Sequence, residues 1–530
     1  MRDEQGSPTR PGDLAGKAGR AGAEASENRG HEIELKLRGD PVALEAAFGG
    51  SGGPAPRARR LVSTYFDTGD GDLRAGKAVF RIRKIRRAFV ATFKKAAAGS
   101  NSHVRDELEA VVRSPEPDIS CFGDEAAAEI RDITGGAALV AQFTTDIRRR
   151  TRLIEHGGAL VEAALDTGFV RTERGKEKIC ELELELKSGD IASLYDLAET
   201  LAAERGLSMG VLTKGQRGFM LALGEGPAIR KSRSPKIPET ATLEDLIQLV
   251  GGECLDQFTA NWPALDLSDD PESIHQMRVG LRRLRTALAL FNRALPCPDF
   301  QRFRETARDL ASALGPARDT DAFIDLMEKG PVAFHGRDES CARLLDAARA
   351  RRGEGYARAR ALAAAPETTR FVLAFRSFLA RRGWRNALTG ETLANLGEPA
   401  ADFAARTLRR LDRRALKRGR KLASLPPAER HELRIALKNI RYAADFFSAL
   451  FDAGATRKYN HAAAGIQEVL GAYNDAIVAA ETTKLLEKDA HPHGARAAGM
   501  VLGWTGRGCL DADHFLLGAW KAFRKAERFW

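Results

Sequence analysis

The pattern of apolar and polar positions changes its period once along the chain. Before residue 190, apolar and polar side chains alternate in short runs at 31–38, 61–67, 79–85, 89–95, 104–110, 145–154, 159–166 and 179–187. Alternation puts every second side chain on one face, which predicts β-strands. Eight such runs with largely short connections predict an antiparallel sheet curled into a barrel. Beyond residue 240 the apolar positions follow a helical period nearly throughout and strand signals almost vanish, so a helical bundle is expected. The expected fold class is α+β, an eight-stranded antiparallel β-barrel followed by an all-α part. Residues 1–29, rich in Gly, Ala, Ser and charge and without apolar periodicity, read as a disordered tail. The stretch 224–238, GEGPAIRKSRSPKIP, reads as a linker between a first domain at 30–223 and a second at 239–530.

The polar faces of the expected strands are charged in a sorted way. Glu32, Glu34 and Lys36 share one face of the first, opposite Ile33, Leu35 and Leu37. Arg81 and Arg83 lie opposite Phe80 and Ile82, and Lys94 goes with Thr92. Arg105, Glu107 and Glu109 form the next face, then Arg148, Arg150 and Arg152 with Arg149 on the reverse. Glu162 and Asp166 follow, and finally Glu181, Glu183, Glu185 and Lys187 against Leu182, Leu184 and Leu186. A single such strand reads most simply as the solvated face of a half-buried sheet. Together they fit a barrel whose apolar face packs outward on helices and whose polar face turns inward. Like charges crowded in such an interior are costly unless something pairs with them. A strongly anionic ligand with divalent cations meets that need: Arg and Lys bind phosphate oxygens, and clustered Glu ligates Mg²⁺ or Mn²⁺.

Charge and composition sharpen the division. The chain has 83 Lys+Arg and 72 Asp+Glu, a net of +11. Divided at 235/236, the first part holds 37 basic and 35 acidic residues and the second 46 and 37, so the surplus belongs mostly to the helical part. There 36 of the 46 basic residues are Arg, suited to bidentate phosphate contacts. The six cysteines are scattered without a CxxC pair, which argues against a disulfide framework or zinc ribbon and for reduced thiols in a cytoplasm. No apolar run approaches the ~18 residues of a membrane span, and Met1-Arg2-Asp3-Glu4 is not expected to open a signal peptide. There is no GxxxxGK[ST] loop.

The helical part repeats itself. Residues 275–291, HQMRVGLRRLRTALALF, align with 431–447, HELRIALKNIRYAADFF, at an offset of 156. The same offset aligns Leu314-Gly315-x-x-Arg318-Asp319 with Leu470-Gly471-x-x-Asn474-Asp475, which marks a duplicated bundle. Each copy sets His and basic residues at i, i+3, i+7 and i+10: His275, Arg278, Arg282 and Arg285, then His431, Arg434, Lys438 and Arg441. That spacing makes one stripe along a helix. Solvated helix faces usually mix acids with bases for i,i+4 pairing, and these stripes contain no acid. Two stripes related by pseudosymmetry would build one strongly positive surface. Neither His has a second ligand at i+4, so a metal site there is not expected.

These motifs resemble two known families. Glu32-Ile-Glu34-Leu-Lys36 matches the ExExK signature of the CYTH domain, the triphosphate tunnel metalloenzymes. Support comes from Tyr65-Phe-Asp67-Thr, Phe80-Arg-Ile-Arg83, Thr92-Phe-Lys94, Glu107-x-Glu109, Leu165-Asp166-x-Gly168, Cys180-Glu-Leu-Glu-Leu-Glu-Leu-Lys187 and the closing Leu212-Thr-Lys214-Gly-Gln-Arg217-Gly-Phe. The second part, over about 240–525, resembles the CHAD domain through HxxRVxxRRLR, LGxxRDxD and their duplicates, with half-repeats at about 240–390 and 400–525.

The resemblance implies an eight-stranded tunnel that binds a linear triphosphate, followed by two pseudosymmetric four-helix bundles with a basic groove for inorganic polyphosphate. It implies Lys36, Arg81, Arg83, Lys94, Arg148, Arg150, Lys214 and Arg217 as triphosphate-binding residues. Glu32, Glu34 and Lys36 would be catalytic, and Glu32, Glu34, Glu107, Glu109, Asp166, Glu181, Glu183 and Glu185 metal ligands. The cofactors would be two ions of Mg²⁺ or Mn²⁺ assisting hydrolysis of inorganic triphosphate. Polyphosphate would meet His275, Arg278, Arg282, Arg283, Arg285, Arg318, His431, Arg434, Lys438 and Arg441. Asn474, Lys438 and Asn439 replace Arg318, Arg282 and Arg283, so weaker binding is expected in the second half. The segment 402–421, with nine Arg/Lys and two Asp, either widens the groove or forms a solvated helix.

Other readings remain beside this one. The chain as a whole could be a non-catalytic polyphosphate-binding, granule-associated protein, although the ExExK and ELELE strands are both intact. An organic triphosphate, thiamine triphosphate or ATP for cyclisation, would want an aromatic platform. All five Trp lie beyond residue 260, and Tyr65, Phe66, Phe80 and Phe169 read as core packing. Nucleic acid is disfavoured because the basic stripes lack interleaved aromatics. A cytoplasmic location, at polyphosphate granules, and no membrane partner complete the expectation.

Overall fold

In the first part, alternating residues become strands that close on themselves. The computed structural model describes residues 30–49, 56–96, 104–336, 338–491 and 493–530, and the expected tail at 1–29 lies outside them. The barrel strands are β1 (Gly30–Arg38), β2 (Arg59–Asp67), β3 (Ala78–Ile85), β4 (Ala88–Ala96), β5 (Val104–Val112), β6 (Val140–His156), β7 (Ala159–Thr172) and β8 (Gly175–Ser188). Their order is β5-β4-β3-β2-β6-β7-β8-β1, all neighbours are antiparallel, and β1 also pairs with β5 to close the ring. The last three strands run well beyond the alternating runs in sequence. Their ends are held by two hairpins, the first turning at Gly157 and Gly158 with φ of 55° and 77°, which glycine adopts without strain.

Along β3, β4 and β5 the two faces of the sheet are sorted as the alternation predicts. Phe66, Phe80, Ile82, Phe93 and Leu108 point outward and are buried against α2 (Asp124–Thr134) through Ala126 and Ile130. α1 (Pro41–Gly49) follows β1 and buries Leu44 and Phe48. One end of the barrel interior is apolar instead: Tyr65, Phe143, Ile147, Val170 and Ile179 meet Phe219 of α3 (Lys214–Leu223). Tyr65 stacks on Phe143 at 4.5 Å. A Cβ on Gly218 would fall 2.0 Å from the Phe143 ring, so only glycine lets α3 seat this closely. The buried Asp67 carboxylate accepts from the backbone N–H groups of Thr68, Leu73 and Arg74 at 2.8, 2.8 and 3.1 Å, which fixes the β2–β3 connection.

Two compact units result, one ending at Leu194 and completed by Leu212–Glu225, the other formed by Tyr195–Val211 and Gly226–Trp530. The second is helical. Its first half contains α4 (Leu243–Thr259), α5 (Pro271–Ala294), α6 (Pro298–Ala313), α7 (Gly315–Lys329), α8 (Glu339–Ala364) and α9 (Pro366–Ala380). The second half contains α10 (Ala400–Arg418), α11 (Pro427–Phe447), α12 (Ala453–Leu486) and α13 (Gly494–Lys525). The 156-residue offset carries α4 onto α10, α5 onto α11, α6 with α7 onto α12, and α8 onto α13. In the first copy the third helix breaks at Leu314, before Pro316, which has no N–H to continue the ladder. Ala472 stands at that position in the second copy, and α12 runs unbroken for 34 residues. The buried Leu281, Leu284 and Leu288 of α5 recur as Leu437, Ile440 and Ala444 of α11. No helix among the described residues is long and apolar enough to cross a membrane.

Candidate functional site

Register brings the sorted charges together inside the barrel. β1 pairs with β8 so that Glu34 faces Glu185 and Lys36 faces Glu183. β7 pairs with β8 so that Glu162 faces Glu185 and Asp166 faces Glu181. Arg81 faces Thr92, which faces Glu109, and Lys94 faces Glu107. Residues directly opposite share a face, so these groups line one interior wall. Lys94 donates to Glu32 at 2.5 Å and lies 3.0 Å from Glu107, while Arg81 approaches Glu107 at 3.6 Å. Lys36 pairs with Glu34 and lies 3.4 Å from Glu183. Thr92 donates to Glu109 at 3.2 Å and Arg83 to Ser63 at 3.1 Å.

The arginine run on β6 corrects the sequence expectation. Arg149, not Arg148 or Arg150, faces inward: it donates to both oxygens of Asp166 at 2.8 and 2.6 Å and also pairs with Glu183. Arg148 is exposed on the outer wall. Arg150 reaches Glu45 of α1 and sits over the Phe48 ring at 5.2 Å. The β6–β7 register, Arg149 opposite Asp166, settles which residue enters, and four arginines in five positions give alternation nothing to read. Lys214 and Arg217 also differ from simple phosphate ligands. Thr213 and Gln216 form a capping box that places Lys214 in the first turn of α3. Lys214 Nζ lies 2.7, 2.5 and 2.6 Å from Asp166, Glu181 and Glu183, and Arg217 donates to Glu177 at 2.7 Å. Both residues tie α3 to β8 through carboxylates.

Two carboxylate groups with different electrostatics result. Oxygens of the buried Asp166, Glu181 and Glu183 come within 4.8 Å of one another, a donor set that suits a hard divalent cation. Here Lys214, Arg149 and Lys36 surround them. Burial would raise the Glu183 carboxyl, but Lys214, Lys36 and Arg149 hold it well below the usual carboxylate range. Lys214 is likewise held above the ordinary lysine range by Asp166, Glu181 and Glu183 despite its burial. The other group is the row Glu34–Glu185–Glu162 with Glu32. Burial pushes Glu185 up, Lys187 at 2.6 Å opposes this, and Glu32 and Glu162 add to it. Burial also lowers Lys36, with Glu183 opposing, and holds Arg83 down to about 10 beside Arg81 and Arg149. A phosphate chain on this wall would relieve the crowded cations as a divalent ion would relieve the crowded carboxylates.

The helical unit contains a second charged cavity. A cleft of about 1540 Å³ is lined by His275, Arg278, Arg282, Arg285 and Arg318 from the first copy and by His431, Arg434, Lys438, Arg441 and Asn474 from the second. Arg278 Nε and Nη1 and Arg434 Nε are buried without a hydrogen-bond partner among the described residues. Arg318 donates to His275 Nδ1 at 3.1 Å, and burial and then Arg318 lower the His275 pKa, so the imidazole is a neutral acceptor that orients Arg318. Burial, then Arg282 and Arg434, push Lys438 down to about 7. Arg283 is the exception to the expected set. It is 1% exposed, donates to the Arg233 carbonyl at 2.9 Å and lies over the Phe446 ring at 5.2 Å. One position after Arg282 is a 100° turn around the helix, which carries Arg283 into the core.

Some cleft residues escaped the sequence reading. Arg410 and Arg414 of α10 line the cleft, so the Arg-rich segment widens it with these two, together with Arg293 and Arg304. Asp319 and Asp475 also line it. They occupy equivalent positions in the duplicated LGxx(R/N)D element, and that recurrence was their signal.

A closed antiparallel barrel with cations and carboxylates facing inward, followed by a duplicated helical bundle with a cationic cleft, defines a two-domain protein with a separate charged site in each domain. Residues 30–219 match the CYTH domain and residues 250–484 the CHAD domain, so this chain is a CYTH domain followed by a CHAD domain. Over 164 residues it is 29% identical to an inorganic triphosphatase of Haemophilus influenzae, a match covering 30% of this chain and 46% of that protein. The chain thus spans about half the length of that curated relative. It is 26% identical over 447 residues to an uncharacterized protein of Mycobacterium tuberculosis, covering 80% of this chain and 81% of the other. The crystal structure of the CHAD domain from the plant Ricinus communis covers 57% of this chain and all of its own at 29% identity, with a TM-score of 0.47.

Proposed function

We propose that the barrel hydrolyses inorganic triphosphate to diphosphate and phosphate with Mg²⁺ or Mn²⁺, and that the helical cleft holds inorganic polyphosphate. The observation that carries the first part is the interior wall, where cations and carboxylates interleave in register, a lining suited to a phosphate chain with metal. Lys36, Arg81, Arg83, Lys94 and Arg149 would bind phosphate oxygens and stabilise charge on the leaving group. Glu32, Glu34, Glu162 and Glu185, with Asp166, Glu181 and Glu183, supply the oxygen donors that would hold the metal; Glu107 and Glu109 orient Lys94, Arg81 and Thr92. When bound, a divalent cation would neutralise phosphate charge and acidify a water. The likeness of 164 residues of the chain to an inorganic triphosphatase supports the choice of substrate. So does Tyr65, whose ring is buried and stacked on Phe143 and is thus spent on packing rather than offered to a base or thiamine.

The orphaned guanidinium nitrogens of Arg278 and Arg434 support the second part, because buried N–H donors without an acceptor call for one, and Asp319 and Asp475 beside them leave these N–H groups unsatisfied. Association with polyphosphate granules in the cytoplasm would follow. The test is phosphate release by the full chain from tripolyphosphate, ATP, thiamine triphosphate and long polyphosphate, each with Mg²⁺ and Mn²⁺. Tripolyphosphate should be cleaved best, with loss of activity in Glu34→Gln and Lys36→Ala. No metal-dependent release from tripolyphosphate, or full activity in both variants, would sink the proposal.

A further inference from the structure

The outer wall of the barrel carries charge that the interior site does not use. Register places Arg60, Arg148, Thr167 and Cys180 in one outward row across β2, β6, β7 and β8. The next row is Lys84, Val62, Asp146, Phe169 and Lys178, starting from β3, and the third is Thr64, Thr144, Arg171 and Lys176. Asp146 is the one carboxylate on these rows, and Arg60 takes both its oxygens at 2.8 Å. Lys84, Arg148, Arg171, Lys176 and Lys178 are exposed; Arg148 and Arg171 lie within the field of the Asp146 carboxylate, which Arg60 already holds, and among the described residues none of the five forms a salt bridge. Two like-charged pairs, Arg60 with Arg148 and Arg171 with Lys176, lie directly opposite across strands, an arrangement that destabilises a sheet. The ordinary use of exposed sheet positions would alternate signs. Retaining same-sign pairs at a cost to the sheet makes sense where an anion bridges them.

We propose that this wall is a second docking face for a strand of inorganic polyphosphate, separate from the helical cleft. The inference shares the polyanion of the reading above but neither of its sites. A phosphate chain without bases fits better than nucleic acid. Phe169 is the one aromatic on the rows, and Arg171 and Lys176 both lie 5.4 Å from its ring centroid, where a stacked base would need to sit. A lipid surface would want apolar side chains beside the cations, and the rows offer only the half-buried Val62 with that aromatic.

The experiment titrates the full chain with long-chain polyphosphate by calorimetry in four forms: unchanged, with Arg278→Ala and Arg434→Ala in the cleft, with Lys84→Gln, Arg171→Gln, Lys176→Gln and Lys178→Gln on the wall, and with both sets. Thermal unfolding confirms that each form is folded. The cleft variant should keep a binding phase, and adding the wall substitutions should weaken that phase on the order of tenfold. If the wall set removes all binding while the cleft set changes nothing, the cleft reading fails and the wall stands. Loss of every phase in the cleft variant alone, or a phase that ignores the wall set, overturns the inference. So does displacement of that phase by single-stranded DNA or anionic vesicles in preference to polyphosphate at matched salt.

Discussion

Lys214 reaches from the first turn of α3 to Glu183 of β8, its Nζ 2.6 Å from a carboxylate oxygen, with both side chains largely buried. The same ammonium touches Asp166 and Glu181, so one cation holds three buried acids and ties the closing helix to the barrel. Removing one partner of a buried pair costs about 3–5 kcal/mol, and here Arg149 remains to compensate in part. Lys214→Ala should therefore destabilise the barrel by about 3 kcal/mol. Mg²⁺ should raise its melting temperature more than that of the unchanged protein, because the ion gains the freed carboxylates. Calorimetric melts with and without Mg²⁺ check this, and an unchanged melting temperature would count against the counter-ion role.

The three consecutive arginines of β6 should separate cleanly. Arg149→Ala removes the inward guanidinium and should lower kcat/KM on tripolyphosphate on the order of a hundredfold. Arg148→Ala and Arg150→Ala should stay within a few-fold, since one side chain is exposed and the other bonds Glu45. Steady-state kinetics of the three variants decide it. A larger loss for Arg148→Ala than for Arg149→Ala would reverse the assigned face.

Metal affinity should depend on pH through Glu185. Its carboxyl is raised by burial and by Glu32 and Glu162, so it keeps its proton at a pH where an ordinary glutamate has lost it. A bound cation needs the ionised form, and affinity should therefore rise with pH from the ordinary carboxylate range through this raised value. Glu185→Gln should weaken binding and flatten the dependence. Mn²⁺ titrations across pH, followed by calorimetry, measure both effects.

In the helical cleft the sign is opposite. Lys438 titrates near 7, pushed down by burial and then by Arg282 and Arg434. It is charged below that value and neutral above, so polyphosphate affinity should fall as pH rises through about 7. Lys438→Arg should keep the low-pH affinity and lose the dependence. The same shift acts on folding. Between about 7 and the ordinary lysine range the unfolded chain binds a proton that the folded chain does not, so the stability of the free protein rises with pH there. Binding isotherms and urea melts at a series of pH values test the two slopes.

Much of this architecture was legible in the chain because its signals are local or self-referential. Strand alternation needs only neighbouring residues, and it sorted Phe80 and Ile82 outward from Arg81 and Arg83 correctly. The duplication needs only comparison of the chain with itself, and it set Arg278 and Arg434 at equivalent places in one cleft.

What the sequence by itself determined, then, was a barrel with a sorted charged wall and a doubled helical unit with a cationic stripe in each copy. Only the tertiary structure decided that Arg149 enters while its neighbours leave, that Lys214 is a counter-ion for three acids, and that Arg283 is buried. It alone set Lys84 of β3 beside the cations of the β6–β7–β8 hairpins, which puts five exposed cations on one outer wall. The reason is physical. Which way a side chain faces depends on the strand or helix it packs against, and in a run of identical charges no local free-energy difference selects one register over the next.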